Sequence, residues 1–329
     1  MNNIDKEDML GILRSFPNMA EVASELGEDI TFPKEFVDDI IICGMGGSGF
    51  TGDLLKVYLQ HLPIQVHVVK DYTLPEHVHR KSLIFAISYS GNTEETISAY
   101  RSAIRRGSKV ISISSGGKLQ ELAKMNNTPH VTVPKGIPPR LSTLYLFIPL
   151  INILSFSGFI DDQEKIISKL ITDLKSSVDS IEKSAKELAV NVKGKIPIIY
   201  TYYKLYCIAE KWKTDINENA KTHAFYNVFP EFNHNEICAY ENQMLHSHII
   251  IITDKEETSR IKERIKIFKK LMSQIKIPIT EIAITGDNHM TRLISAIWMG
   301  LYFSYYLALE YNTDPTPVKI IERLKKELA

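Results

Sequence analysis

The sequence predicts an α/β protein built from two doubly wound domains with mainly parallel sheets. Its 329 residues are too many for one ordinary core and suit two domains of roughly 150 residues each. Short apolar runs alternate with helical patterns, which is typical of a parallel sheet covered by helices on both faces. The alternation stops near Pro138 and restarts at Ile196. We therefore expect domains at 1–155 and 156–329.

The first half reads as five strands, each followed by a helix or a loop. Each apolar run is short enough for a buried strand, and a parallel crossover needs a helix to return the chain. The predicted strands are Ile40–Cys43, Gln65–Val69, Leu83–Ile87, Lys109–Ser114 and His130–Val133. The predicted helices begin near Leu54, at Glu94 and at Lys118.

Two long helices and a second alternating region complete the chain. Residues 141–160 are apolar, but polar side chains interrupt them and Pro149 would kink them, so we expect a buried core helix and no membrane span. The amphipathic pattern of 162–190 predicts a second long helix. Further predicted strands are Ile196–Tyr202, His248–Thr253 and Ile279–Ile284, with helices through Trp212, Met272 and Trp298, and a charged final helix, Val318–Leu328.

Composition excludes several classes of protein. Thirty-nine basic residues balance thirty-nine acidic ones, so no net field attracts nucleic acid or an anionic membrane. Three separated cysteines exclude a disulfide framework and a zinc ribbon, and residues 1–9 lack the pattern of a secretory signal. The close pairs His77 with His79 and His246 with His248 lack a third ligand nearby in sequence. We expect a cytoplasmic protein without a bound metal.

A glycine turn, Gly44–Gly49, follows the first strand and precedes a helix. Its Gly44, Gly46 and Gly49 have the G-x-G-x-x-G spacing, with which backbone N–H groups and a helix N-terminus bind phosphate. A dinucleotide site also needs an acidic residue about twenty positions later, and Asp71 fills that place. A nicotinamide-dependent dehydrogenase is therefore one interpretation of the turn.

A hydroxyl-rich segment, Ser88–Thr96, follows the third strand in the same way; we call it the hydroxyl loop. Hydroxyl groups at a helix N-terminus form a neutral site for a phosphate dianion. Thr93 and Thr96 could instead serve as helix caps, but one cap needs only one hydroxyl. Neither loop has the G-x-x-x-x-G-K-[ST] pattern of nucleoside triphosphate sites. A monophosphorylated small molecule fits the segment better.

These motifs carry a family resemblance. GMGGSG and SYSGNTEET, in this order, resemble the sugar isomerase (SIS) domain. The segment NENAKTHAFYNVFPEFNHNEI at 217–237, PPR at 138–140 and the C-terminal PTPVKIIERLK are similar to the bifunctional phosphoglucose/phosphomannose isomerases. The resemblance implies two SIS-type α/β/α sandwich domains and a homodimer with the active site at the subunit interface. It also implies a cofactor-free aldose–ketose isomerase of hexose 6-phosphates.

The resemblance also assigns roles to individual residues. Isomerisation requires a phosphate anchor, an acid/base group for ring opening, a base for proton transfer and a cation for the enediolate. The implied phosphate ligands are Gly46, Gly47, Ser48, Ser88, Ser90 and Thr93. Glu218 would be the transferring base and Arg140 would face the enediolate, while His234, from the partner subunit, would open the ring with Lys319. The residue that sets epimer specificity is left open among Asn312, Thr313 and Thr316.

Without the resemblance, ordinary interpretations of these residues stand. Glu218 ends a predicted helix and could be solvated surface, and His234 lies in a predicted loop rich in proline and asparagine.

Three other functions compete: a non-catalytic SIS sensor of sugar phosphates, the isomerase half of glucosamine 6-phosphate synthase, and the dehydrogenase. A sensor would carry a DNA-binding domain before Asp38, and the synthase an N-terminal cysteine where Asn2 and Asn3 stand.

Overall fold

A computed structural model of the chain describes residues 4–242 and 244–328 and confirms the predicted α/β class with two parallel sheets. The chain divides into two compact units. One is Ser15–Lys175, and the other joins Met1–Arg14 to Ser176–Ala329. The helix that passes from one unit to the other spans Glu164–Val192. The domain limits 1–155 and 156–329 stay a prediction.

The Ser15–Lys175 unit contains a five-stranded parallel sheet in the order β2-β1-β3-β4-β5. The strand order reverses direction at the β1/β3 junction, where ligands bind in doubly wound folds. The strands are β1 (Asp39–Cys43), β2 (Val66–Val69), β3 (Ser82–Ile87), β4 (Lys109–Ser114) and β5 (His130–Thr132). All five were predicted because their short apolar runs suit strands that are buried on both faces.

Helices cover both faces of this sheet. In chain order they are α2 (Phe16–Ser24), α3 (Gly46–Tyr58), α4 (Glu94–Arg105), α5 (Gly117–Met125) and α6 (Thr143–Phe156). The apolar stretch after Pro139 folds as α6, and all but three of its fourteen residues are buried, as expected for a core helix. On one face, Ile41 and Tyr100 belong to a buried cluster with Leu74 and Val78 from the segment between β2 and β3.

The other unit contains a four-stranded parallel sheet in the order β7-β6-β8-β9. The strands are β6 (Ile196–Tyr202), β7 (Phe225–Phe229), β8 (Ser247–Thr253) and β9 (Ile279–Ala283). We did not predict β7 from the sequence. It is an edge strand in which only Phe229 is buried, so it lacks the long buried run of the central strands β6 and β8.

The helices of this unit are α1 (Met9–Arg14), α8 (Tyr206–Asp215), α9 (Ser259–Gln274), α10 (His289–Glu310) and α11 (Lys319–Leu328). The second half of α7 (Glu164–Val192) also belongs to this unit. By length and composition α10 could cross a membrane, but 78% of its most apolar window is buried inside the protein. Gly300 lets α10 approach α8 closely, since a Cβ there would lie 2.4 Å from the Trp212 ring. We conclude that α10 is a core helix.

Candidate active site

The glycine turn joins β1 to α3 at the carboxyl edge of the first sheet. Gly46 has a φ of +51°, and a Cβ on Gly49 would lie 2.4 Å from the carbonyl oxygen of Gly44. Side chains at these two positions would therefore strain or block the turn. Met45 stands at the N-cap of α3 and makes no side-chain cap bond. The N–H groups of Ser48 and Gly49 both donate to the Met45 carbonyl at 3.0 Å, whereas those of Gly46 and Gly47 precede the first helical acceptor and suit an anion.

The hydroxyl loop joins β3 to α4 and is shaped by its own side chains. Ser88 Oγ lies 2.9 Å from Thr93 Oγ1 and accepts a hydrogen bond from the Gly91 N–H at 3.1 Å. Thr93 occupies the N-cap position of α4 but makes no side-chain cap bond, so the capping interpretation is wrong for this residue. Ser88 is fully buried, whereas Ser90 is exposed and Thr93 is partly exposed.

The two loops meet at the β1/β3 junction. The backbone N–H of Tyr89 donates a hydrogen bond of 3.1 Å to Ser48 Oγ, which links the hydroxyl loop to the first turn of α3. Helices α3 and α4 both begin here, so two positive helix ends point at the same place. We call Gly46–Ser48 together with Ser88–Thr93 the phosphate cradle.

Arg140 lies beside this cradle, on the segment that follows β5. The Tyr89 hydroxyl donates to the Pro134 carbonyl at 2.9 Å and accepts from the Ile137 N–H at 3.3 Å, which ties the segment to the hydroxyl loop. Burial raises the pKa of Tyr89, so its hydroxyl keeps the donated proton. A Cβ on Gly47 would lie 3.2 Å from Arg140 Cα, and the Arg140 side chain is only 4% exposed. The backbone of Arg140 thus lies against the first turn of α3, and its role at the enediolate stays a prediction.

Glu218 lies in a single π-helical turn, Ile216–Ala220, that extends α8. Such turns are rare and occur frequently at functional sites. The neighbouring asparagines hold the turn: Asn219 Nδ2 donates to Ser304 Oγ of α10 at 2.9 Å, and Asn217 Nδ2 donates to the Thr222 carbonyl at 2.8 Å. Glu218 is half-buried, and its backbone is fixed from both sides.

Lys221 is a residue of this site to which the sequence analysis gave no role. It has a left-handed φ of +54° and ends the π turn. Its Nζ donates to the carbonyl of Glu218, to that of Asn219 at 3.2 Å and to that of Pro315 at 2.9 Å. The ammonium therefore joins the Glu218 turn to the segment that leads to Lys319. Lys221 is the lysine of the NENAK motif. Its hydrogen bond to the Pro315 carbonyl could not be inferred from the sequence, because the two residues are 94 positions apart.

His234 and Lys319 occupy exposed positions on separate elements. His234 ends a 3₁₀ turn, Glu231–His234, directly after β7, while Glu218 lies before β7 in the chain. Lys319 is the first residue of α11, as predicted, and it is exposed. Asp71, which the dinucleotide interpretation requires, is exposed two residues beyond β2.

Comparison with known proteins identifies the family. Residues 37–148 match the SIS domain family, and residues 181–328 match the family described as the bacterial phospho-glucose isomerase C-terminal SIS domain. Glucosamine-6-phosphate deaminase from Thermotoga maritima has a similar structure, with a TM-score of 0.68 at 13% identity; the match covers 93% of this chain and 96% of that chain. At this identity the likeness concerns the fold alone.

Similarity to two curated proteins extends over almost the whole chain. The bifunctional phosphoglucose/phosphomannose isomerase of Caldicellulosiruptor bescii is 40% identical over 329 residues, which cover 96% of this chain and 97% of that protein. The protein of the same name from Aquifex aeolicus is 36% identical over 326 residues, with 98% of each covered. The chain therefore belongs to the family of bifunctional phosphoglucose/phosphomannose isomerases.

Proposed function

We propose that this protein interconverts glucose 6-phosphate and mannose 6-phosphate with fructose 6-phosphate. The observation that carries the proposal is the phosphate cradle, where two helix N-termini and a hydroxyl loop meet at the β1/β3 junction. The family membership of the chain supports the same activity and disfavours a sensor or a dehydrogenase.

The cradle would bind the substrate phosphate through neutral donors. The N–H groups of Gly46 and Gly47, with the hydroxyls of Ser48, Ser90 and Thr93, suit a dianion without a cluster of basic residues, while the Ser48 N–H already donates to the Met45 carbonyl. Ser88 is fully buried and bonds Gly91 and Thr93, so its contribution would be to hold the loop in shape. This anchoring explains how a chain of zero formal net charge can bind a dianionic substrate.

Glu218 would transfer one proton between carbons 1 and 2 of the open-chain sugar. Its carboxylate takes the proton from carbon 2 of the aldose and returns it to carbon 1 through an enediolate, while the proton of the carbon-2 hydroxyl passes to the carbon-1 oxygen. Arg140 would stabilise the negative oxygen of that intermediate. Glucose and mannose 6-phosphate differ only at carbon 2, and the enediolate has lost that stereocentre, so the same base serves both epimers. Asn312, Thr313 and Thr316 stay candidates for the residue that sets the preference.

Ring opening would use His234 together with Lys319. We place His234 in the site of a partner subunit, in a homodimer whose active sites lie at the interface, because His234 and Glu218 flank β7 on opposite sides in the chain. The proposed chemistry uses no metal and no organic cofactor. We also propose a cytoplasmic location, since Cys43, Cys207 and Cys238 are all free thiols, which suits a reducing compartment.

A coupled assay of fructose 6-phosphate formation tests the activity. We expect turnover of both aldose phosphates and no loss of activity in EDTA. Glu218→Gln should remove turnover while sugar phosphate still binds, whereas the control Glu210→Gln, two turns earlier on α8, should stay active. If neither sugar is turned over, the enzyme assignment is wrong; if Glu218→Gln retains full turnover, the role of Glu218 is wrong.

Mixed dimers test the sharing of the site. Glu218→Gln and His234→Ala chains, each inactive alone, should regain activity when they are refolded together, since one of the two sites then has both groups. Statistical mixing gives about one quarter of the wild-type activity at most, because half of the dimers are mixed and each has one intact site. Absence of any recovery in dimers shown to be mixed would contradict the placement of His234.

A further inference from the structure

Three potential metal ligands meet at the amino edge of the first sheet, away from the cradle. Asp39 is the first residue of β1, His67 lies on β2, and His77 lies on the segment between β2 and β3. Each offers one ligand atom, and these atoms all lie within 4.8 Å of one another. The members of this group are ten to thirty-eight residues apart, so a search for closely spaced histidine pairs in the sequence does not find it.

Strand register explains why the three residues meet. His67 is the register partner of Ile41, and Asp39 lies two residues before Ile41, so Asp39 and His67 share one face of the sheet. The 70–81 segment covers this face with the buried side chains Leu74 and Val78. His77 directly precedes Val78, and its ring centroid lies 4.8 Å from that of His67.

The carboxylate of Asp39 provides a second, independent observation that points to a cation ligand. Asp39 is only 9% exposed, and among the residues that the structure describes its buried Oδ1 has no hydrogen-bond partner. Its Oδ2 lies 3.7 Å from His77 Nε2, which is longer than a hydrogen bond. A buried carboxylate oxygen without a partner is unfavourable, and a bound cation would satisfy it.

We propose that Asp39, His67 and His77 bind a divalent transition metal, and that Zn²⁺ fits the site best. Two imidazoles and one carboxylate are a donor set typical of Zn²⁺, with water as the fourth ligand. Bonds of about 2.0–2.1 Å in a tetrahedral site place the ligand atoms about 3.3 Å apart. The Asp39–His77 pair is close to that separation already, and the His67 ring needs only a small movement.

The segment that carries His77 is held in place, which favours metal binding. Arg106 of the turn after α4 donates hydrogen bonds to the carbonyls of Pro75 at 2.6 Å, Val78 at 3.3 Å and Leu74 at 3.2 Å. These bonds fix the backbone on both sides of His77. A preorganised ligand loses less conformational entropy on binding than a mobile one does.

A second group of this kind, Asp254, Glu256 and His289, does not carry the same inference. The guanidinium of Arg292 forms ion pairs with Asp254 and Glu256, so a cation already occupies that position. The Asp39 group has no such occupant among the described residues. Asp39 also lies about 13 Å along β1 from Cys43, the residue that precedes the glycine turn. The metal would therefore fasten the 70–81 segment to the sheet and would take no part in isomerisation.

Calorimetric titration of the EDTA-treated, dialysed protein with Zn²⁺ tests the site. We expect one ion per chain with micromolar or tighter affinity, and with Co²⁺ the visible absorption of a tetrahedral complex. His67→Ala and His77→Ala should each weaken Zn²⁺ binding at least about 100-fold. Loss of a residue that only orients a metal ligand weakens binding less, by about 10- to 100-fold. The matched control is His79→Ala, because His79 lies on the same segment, pairs with Asp38 and is outside the group.

Thermal unfolding provides a readout that does not depend on turnover. Zn²⁺ should raise the Tm of the wild type and of His79→Ala, and it should leave the Tm of His67→Ala and His77→Ala unchanged. His77 is exposed, so His77→Ala should fold even if the change at the partly buried His67 disturbs the sheet. Absence of micromolar binding, or equal binding by wild type and His77→Ala, would overturn the proposal.

Discussion

Replacing Lys221 with methionine tests whether the lysine positions Glu218. Methionine keeps the apolar part of the side chain and removes all three donors to the carbonyls of Glu218, Asn219 and Pro315. The carbonyls of Glu218 and Asn219 lie in the π turn that extends α8, where backbone acceptors lack intrahelical donors, and that of Pro315 lies between α10 and α11. Without the ammonium, the π turn loses its link to the segment before Lys319.

The expected cost is small for folding and large for turnover. Hydrogen bonds to a charged group contribute about 1.5–3 kcal/mol each in protected sites. Because Lys221 is exposed, water competes for these hydrogen bonds, and we expect Lys221→Met to lower the free energy of unfolding by about 1–2 kcal/mol in total. A displacement of a catalytic group by about 1 Å can lower the rate about 100-fold. We therefore expect kcat to fall roughly 100-fold while KM changes little, because the phosphate cradle is intact.

The control for this variant is Lys276→Met. Lys276 is also an exposed lysine with a left-handed φ, +59°, and it lies after α9. It should keep wild-type kcat in the fructose 6-phosphate assay, and urea unfolding should show that both variants are folded. An unchanged kcat in Lys221→Met, or an equal loss in Lys276→Met, would refute the positioning role.

Three further predictions concern the packing and the charge state of the chain. Gly47→Ala should raise KM about tenfold with a smaller effect on kcat, because the new Cβ would lie 3.2 Å from Arg140 Cα and displace the cradle; an unchanged KM would contradict this. Gly300→Ala should lower the free energy of unfolding by about 1–3 kcal/mol through overlap with the Trp212 ring, measured by urea denaturation; equal stability would show that α10 can shift away. Burial lowers the pKa of His248 to about 4, so the folded state disfavours its protonation and stability falls as the pH drops below 6.5. Between pH 7 and 5 the loss from His248 should be up to about 2 kcal/mol, and His248→Gln should reduce the pH slope of the unfolding free energy; an unchanged slope would contradict it.

Most of the first sheet could be predicted because its central strands β1 and β3 contain continuous apolar runs, Ile40–Cys43 and Leu83–Ile87. Burial on both faces forces that pattern, and Ile40–Cys43 shows it clearly. The edge strand β7 has no such constraint: Phe225 is exposed and three residues are half-buried, so local sequence did not distinguish it from a loop. The order of the strands in each sheet was not predicted, because it depends on contacts between residues that are distant in sequence.

The candidate site divides in the same way between local and distant interactions. The phosphate cradle could be predicted because glycine spacing and hydroxyl density are local features of Gly44–Gly49 and Ser88–Thr96. The alternative role of Thr93 as a helix cap is not realised, because its hydroxyl bonds Ser88 Oγ, a contact that depends on how the loop closes; its role as a phosphate ligand stays a prediction. Lys221 was missed because its third acceptor lies 94 positions away.

The proposed sharing of the site by two chains concerns the residues that precede and follow β7. Within one chain, the π turn with Glu218 precedes β7 and the 3₁₀ turn with His234 follows it. The strand has five residues and measures about 13 Å from its first Cα to its last, because each residue advances the chain about 3.3 Å. A proton-transfer group must come within about 3 Å of its atom, and the ring oxygen and carbon 2 of one hexose flank the same carbon. Within one chain the whole of β7 lies between the two residues, and this is the reason for the proposal that the histidine that serves Glu218 comes from the partner subunit. Recovery of activity in mixed dimers of Glu218→Gln and His234→Ala would support that proposal, and no recovery would contradict it.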